Sequence, residues 1–576
     1  MKIKPFAYYL IIILIGCIFH IIFGYSMFDI FFKFSLSYGM TPHSSSLEEN
    51  EIPSDRIAII ALDGVRVDVF YETIANGKSP FLREIIENRG VYGVSHARVP
   101  TETKPDFTAM FSGHFSDASL ALKDLYSVNI LSDSVFNQSN HAWGIGVDAC
   151  MFAKSAKNME CVPFEGEQDY SDVFAELNNY NVFDTMFNLF NKSNVDKNGE
   201  LYKNLNKKKI SFLYHLIQTD TIGHLNGPKS ERLIKHLNKL DSYFQKFEKV
   251  FNNYYKDNKT TFIITGDHGM DDRKAHGDGN PDCTRTPFVI WGSGIRKAEK
   301  RDNKPQDEDT PNNWKLDHIV RRDISQIDIA PLSSALLGIN FPLNSYGIIP
   351  LDILDVSEKV KSKMFFGNMM ELFEIYKVKN ESQSKSMVFK PFQQLIDSES
   401  KINDILNDMK NEKYIEAINK TQILINITLE GMNYILHYDR LYLKTIVVMG
   451  YILWILFIFI FIEMKNNNNL NKLFFFNYGD NILFTIISGA ITLILCVYLY
   501  IRLSPFTYYL YTLFPCYFFW RIFVNIKYLK TFFIKYDNII SNIKNIGYII
   551  FGFISFLSIV SINTHLLYIY FLIFRP

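Results

Sequence analysis

The sequence predicts an α/β domain, a mainly parallel sheet flanked by helices, attached at both ends to an α-helical transmembrane region. Two observations predict the α/β part. Short runs that are apolar at nearly every position, such as Arg56–Leu62, recur between stretches of helical spacing. Continuous apolar character marks a strand buried on both faces, which parallel sheets covered by helices require. The membrane part follows from a shift in composition, since 7–32 and the chain beyond Thr445 are far more apolar than the segment between them. The 576 residues leave ample length for a large core. Lys plus Arg number 60, as do Asp plus Glu, so nothing global points to nucleic acid.

The first apolar run exceeds the roughly 20 residues that cross a bilayer and lacks a small-residue cleavage site, so 1–33 reads as a retained signal anchor. Lys2 and Lys4 precede it and place the N-terminus in the cytosol, with Lys33 acting weakly the other way. His20 inside the run reads as a neutral side chain facing a neighbouring helix. Residues 34–55 are a polar, proline-bearing linker. This orientation puts 40–440 in the lumen or outside the cell. Six N-x-Ser/Thr sequons agree with it, at Asn137, Asn191, Asn258, Asn380, Asn419 and Asn426. Cys150 and Cys161 can pair there across a short loop, leaving Cys283 over.

Strands are expected at 56–62, 91–99, 209–217, 261–264 and 287–291. Helices are expected at 80–88, 107–112 with Pro105 near the first turn, 172–189, 230–253 and 323–337, the last stopped by Gly338. Residues 191–208 read as a lysine-rich loop. The α/β domain is bounded at 56–350, a helical stalk or cap at 351–440, and a multi-span region at 441–576. Spans are expected near 445–464, 481–501, 506–526 and 546–574. The lysines of loops 465–480 and 527–545 make those loops cytosolic, and Arg521 inside a span reads as snorkelling.

Chemistry concentrates at strand ends. Asp63 follows the first strand, Thr103 the second, Asp220 and His224 the third, and Asp267 and His268 the fourth, with His276 in the loop behind. Singly, Asp-Gly is a turn, D-x-x-x-H is a pair on a helix surface, and Thr101 and Thr103 are helix caps. Jointly they point to a metal site, because the carboxyl ends of the strands of an open α/β sheet line one crevice. Three carboxylates and three imidazoles around one hydroxyl suffice for two metal ions, and paired metals suit phosphoryl transfer. A threonine hydroxyl is a poor nucleophile until a cation and a helix N-terminus lower its pKa.

The succession ALDG, PTETKP, DTIGH, GDHG and HGDG resembles the alkaline phosphatase superfamily, in particular its nucleotide pyrophosphatase/phosphodiesterase branch. Within it the chain is similar to the GPI ethanolamine phosphate transferases of the endoplasmic reticulum, above all the first-mannose type. The stretches that carry this are SHARVPTETKPDFTAMFSG (95–113), DSVFNQSNHAWGIG (133–146), TDTIGH (219–224), GDHGMDD (266–272), HGDGNPDCTRTP (276–287) and QIDIAPLSSALLGINFPLNSYG (326–347). The resemblance implies one metal held by Asp220, His224 and His276, and a second held by Asp63, Asp267 and His268. It makes Thr103 the nucleophile and a further ligand, as the second hydroxyl residue of P-T-x-[ST], in preference to Thr101. It implies two divalent ions, zinc by family, with manganese or magnesium acceptable to the carboxylates. It implies phosphatidylethanolamine as donor, a mannosylated GPI precursor as acceptor, and a multi-pass protein of the endoplasmic reticulum membrane. The same residues would serve a membrane-bound phosphodiesterase in which water takes the second step. Family members carry a longer multi-span region than the five spans counted here, so the expectation is a short form or a partial membrane region.

Overall fold

The computed structural model describes residues 5–31, 36–116, 130, 132–146, 148–162, 175–301, 311–467, 469–470, 473 and 482–537. All seven residues of β1 (Arg56–Leu62) are buried because the strand lies in the middle of a sheet. The other strands are β2 (Gly90–His96), β3 (His141–Ile145), β4 (Met159–Val162), β5 (Ile210–Leu216), β6 (Thr260–Gly266), β7 (Arg285–Gly292) and β8 (Ile324–Ser325). Their spatial order is β4-β3-β5-β1-β6-β7-β2-β8. Only β7 runs against its neighbours, so the expected mainly parallel sheet is what forms.

The long runs were legible, and the short strands were not. β3 and β4 carry HAWGI and MECV, too short and mixed to read as continuous apolar runs. Cys150 and Cys161 are disulfide-bonded, with Cα atoms 5.7 Å apart, tying the turn after β3 to β4. Residues 191–208 are not one loop, because the preceding helix continues to Val195 and a further short helix spans Glu200–Leu205. The helix expected over 323–337 begins instead as β8, paired with Ser95 and His96, and passes through a tight turn capped by Ser325 and Asp328. Only Ile329–Leu337 is α-helical, and Gly338 closes it at φ +59°.

One face of the sheet is covered by the helix Glu231–Tyr255, whose N-cap Ser230 accepts a hydrogen bond from the Leu233 amide. Its Leu233, Leu237, Leu240, Phe244, Phe247 and Phe251 recur at helical spacing and are all buried. Phe251 meets Phe212 of β5 and Phe262 of β6 edge-on, with centroids 5.2 and 5.6 Å apart. Phe251→Ala is expected to cost about 3–5 kcal/mol of stability, the usual range for emptying such a site. A denaturation midpoint unchanged from wild type would contradict that packing role.

The chain divides into two compact units. One comprises Leu36–Val378 with Gln394–Gly431 and contains the sheet. The other comprises Met1–Ser35, Lys379–Gln393 and Met432–Pro576. Three described helices are long and apolar enough to cross a membrane: Ala7–Met27, one within Tyr414–Asn466, and Ile482–Ile501. The expected span at 506–526 does form a helix, Phe506–Val524, but its tyrosines, threonines and Arg521 keep it out of that set. The expected span at 546–574 lies outside the described residues. Arg521 does not snorkel: it is buried and its Nε donates to the Leu473 carbonyl. His20 Nδ1 sits 2.9 Å from the Gly16 carbonyl of its own helix, its ring edge-on to Tyr451.

Candidate metal centre

Register puts the key residues side by side. Leu62, the last residue of β1, lies opposite Leu216 of β5 and Gly266 of β6, so three parallel strands end level. The chain leaves them at Asp63, at Asp267–His268, and through Ile217 into the helix Gln218–Asn226. That helix carries Asp220 and His224 one turn apart, with His224 Nε2 3.2 Å from Asp220 Oδ2. Beyond β2, Thr103 opens the helix Thr103–Ser112. The loop bearing His276 is strapped to the same segment, for the Thr101 hydroxyl donates to the Asp278 carbonyl and accepts from the Gly277 amide, both at 2.9 Å. His276 Nδ1 lies 2.9 Å from the Thr101 carbonyl. The Thr101 hydroxyl is thus occupied with loop structure, whereas Thr103 lines an open cavity of about 330 Å³ with Asp63, Asp148, Asp220, His224 and His276.

All seven residues expected from the sequence are at this one edge. Asp267 and His268 form its buried floor. His268 Nε2 is 3.4 Å from Asp63 Oδ1 and 3.7 Å from Asp267 Oδ2. On the other side His276 Nε2 lies 3.2 Å from His224 Nε2 and 3.8 Å from Asp220 Oδ1. Two sets of donors lie within 4.8 Å of one another, Asp63–Asp267–His268 and Asp220–His268–His276. The first is the set expected. In the second, His268 stands where His224 was expected, with His224 beside it against Asp220 and His276.

The electrostatics are those of several ionisable groups buried close together. Burial, and after it the Asp267 and Asp220 carboxylates, push the Asp63 carboxyl well above its ordinary range. Burial acts downward on His268, but Asp267 and Asp220 outweigh it and hold the imidazole above its usual value. Burial would raise Asp220, yet hydrogen bonding to His224 and the charges of His268 and His276 bring it below. Asp63 Oδ1, Asp220 Oδ1, Asp267 Oδ2 and His268 Nε2 are buried and make no hydrogen bond within the protein. Leaving such groups unpaired costs several kcal/mol each, roughly. Oxygen and imidazole donors converging in this way fit divalent metal ions.

Sequence reasoning missed His215, Asp148 and Gln326. His215 lies inside β5 and Asp148 follows β3, a strand not recognised, and together with Asp63 they make a third set of donors within 4.8 Å. Gln326 donates its amide to the Asp267 carbonyl and supports the floor from below. The Asp63–Gly64 step also does more than turn the chain. Gly64 has φ +66°, and a Cβ there would lie 2.5 Å from Asp220 Oδ1. Gly64→Ala is therefore expected to displace Asp220 and lower metal affinity by about 10-fold or more. Equal metal content of both proteins at limiting zinc would contradict this.

A family model described as Type I phosphodiesterase / nucleotide pyrophosphatase matches residues 122–281, and one described as Phosphatidylinositolglycan class N (PIG-N) matches residues 430–575. The GPI ethanolamine phosphate transferase 1 of Schizosaccharomyces pombe is 35% identical over 524 residues, covering 88% of this chain and 55% of the relative. That of Homo sapiens is 34% identical over 517 residues, covering 87% and 55%. The chain thus spans about half the length of the curated relatives it matches. Among solved structures, a mutant of the alkaline phosphatase PafA aligns at 13% identity and a TM-score of 0.36, covering 53% of this chain and 99% of that one.

Proposed function

We propose that this chain, a homologue of the GPI ethanolamine phosphate transferase 1 proteins over nearly nine tenths of its length, transfers phosphoethanolamine from phosphatidylethanolamine to the first mannose of a GPI precursor. The observation that carries the reading is the position of Thr103, in the cavity wall at a helix N-terminus, over a buried floor of carboxylates and imidazoles. Asp63, Asp267 and His268 hold one divalent cation, with Thr103 as a further ligand. Asp220, His276 and His224 hold the other, and His268 lies within reach of both. Bound there, two such ions, zinc by family, supply Lewis acidity that lowers the pKa of a hydroxyl and takes up charge on phosphoryl oxygens.

Thr103 Oγ forms a bond to phosphorus and the bond from phosphorus to the diacylglycerol oxygen breaks. One proton leaves Thr103 and one is taken up by diacylglycerol. The acceptor's mannose hydroxyl then bonds to phosphorus, the bond to Thr103 Oγ breaks, and the proton the mannose loses returns to threonine. The chain's work is positioning and charge, as general phosphoryl-transfer chemistry requires. Both substrates are lipids, which accords with the apolar helices near the N-terminus and beyond Tyr414. The basic N-terminal residues and the sequons support a catalytic unit in the lumen of the endoplasmic reticulum, carrying glycans.

The test is mass spectrometry of GPI intermediates in cells depleted of the protein. Precursors lacking phosphoethanolamine on the first mannose are expected to accumulate. Accumulation of precursors lacking it only on another mannose would overturn the acceptor assignment. Release of free phosphoethanolamine by the purified chain, without transfer to mannolipid, would favour water as acceptor.

A further inference from the structure

His215 stands between two carboxylates that belong to different parts of the site. It is the penultimate residue of β5, opposite Ala61 of β1 and so beside the strand that ends at Asp63. Its side chain is wholly buried. Nε2 lies 3.2 Å from Asp63 Oδ2, and Nδ1 lies 3.5 Å from Asp148 Oδ2, close approaches that fall short of hydrogen-bond geometry. The Phe107 ring packs edge-on against it at 4.9 Å and fills the space beside it. Asp148 is brought there by Gly146, which has φ +113° and where a Cβ would lie 2.5 Å from the His215 carbonyl. Only glycine lets the end of β3 approach β5 so closely.

The three side chains could themselves hold a cation, since their donor atoms fall within 4.8 Å. The ring geometry argues otherwise. The two nitrogens of an imidazole diverge, and here each faces its own carboxylate, so one ion could engage only one of them. Meanwhile the two oxygens of Asp63 are divided, with Oδ2 toward His215 and Oδ1 toward His268 Nε2 at 3.4 Å. Oδ1 is buried and makes no hydrogen bond within the protein.

We propose that His215 is a positioning residue that holds Asp63 Oδ2, so that Oδ1 is presented to the cation position formed with Asp267 and His268, while Asp148 orients the ring from its other side. The proposal builds on the two-metal reading of the site. Groups that orient a metal-binding carboxylate typically contribute about 10–100-fold to metal affinity. The test is zinc titration of the full-length chain in detergent against a chromogenic chelator, with metal content counted after dialysis. Wild type, His215→Phe, His215→Asn and Asp148→Ala are compared. Two ions are expected in wild type. In His215→Phe the affinity for one of them should fall about 10–100-fold while the other is unchanged. His215→Asn, which keeps an N–H, should recover part of the loss, and Asp148→Ala should weaken the same ion by a smaller factor. Asp148 is at the cavity wall, so its variant keeps the fold under test should His215→Phe not fold. Three ions in wild type, with one missing from His215→Phe, would make His215 a ligand and overturn the proposal. Unaltered affinity for both ions in a folded His215 or Asp148 variant would overturn it while leaving the two-metal reading intact. A wild-type chain that binds no zinc would overturn both.

Discussion

Thr103→Ala is expected to abolish transfer, lowering the rate by at least about 10³-fold, or about 4 kcal/mol in the barrier. The Thr101 hydroxyl cannot substitute, because it is held between the Asp278 carbonyl and the Gly277 amide. The variant should also fail to form a phosphoethanolamine-protein adduct when incubated with labelled phosphatidylethanolamine. Thr103→Ser, which keeps the hydroxyl at the same helix N-terminus, should form the adduct and retain most of the activity. Thr101→Ala should weaken the reaction without preventing the adduct, because it loosens the loop carrying His276. A labelled adduct in Thr103→Ala, or full activity, would sink the assignment of the nucleophile.

His268→Ala should be the most damaging of the histidine replacements. His268 is within reach of both sets of donors and is wholly buried, whereas His224 stands at the exposed edge beside Asp220 and His276. His268→Ala is therefore expected to empty both positions, whereas His224→Ala should retain one ion. Chelation should act in the same direction on stability. Without a cation the buried Asp63 and Asp267 carboxylates repel each other, offset by the His268 imidazole between them. An ion present at a thousand times its dissociation constant contributes about 4 kcal/mol by mass action. A chelator should therefore lower the thermal midpoint by several degrees, and zinc should restore it. A midpoint insensitive to chelator, or equal metal content in the two histidine variants, would contradict this account.

Much of this site could be read in one dimension because its residues lie at, or shortly after, the ends of strands. Asp63, Asp267 and His268 follow immediately on runs whose apolar character requires burial on both faces, and the ends of those runs are sharp. Asp220 and His224 are one helical turn apart and need no tertiary information to share a face. His215 and Asp148 had no comparable signal. A histidine within a strand looks like any interior residue, and Asp148 becomes significant only once β3, five residues of ordinary composition, is seen to pair with β5.

By itself the sequence determined the fold class, the apolar helices, and the seven residues that gather at the sheet edge, because burial and strand termination are local properties of composition. Tertiary structure decided the rest. The level ends of β1, β5 and β6 brought the donors within reach of one another, and the loop strapped by Thr101 distinguished that hydroxyl from Thr103. The same packing placed His268 between the two donor sets and His215 behind Asp63. Those relations are distances between side chains far apart in the chain, and only the register of the strands and the packing of the loops set them.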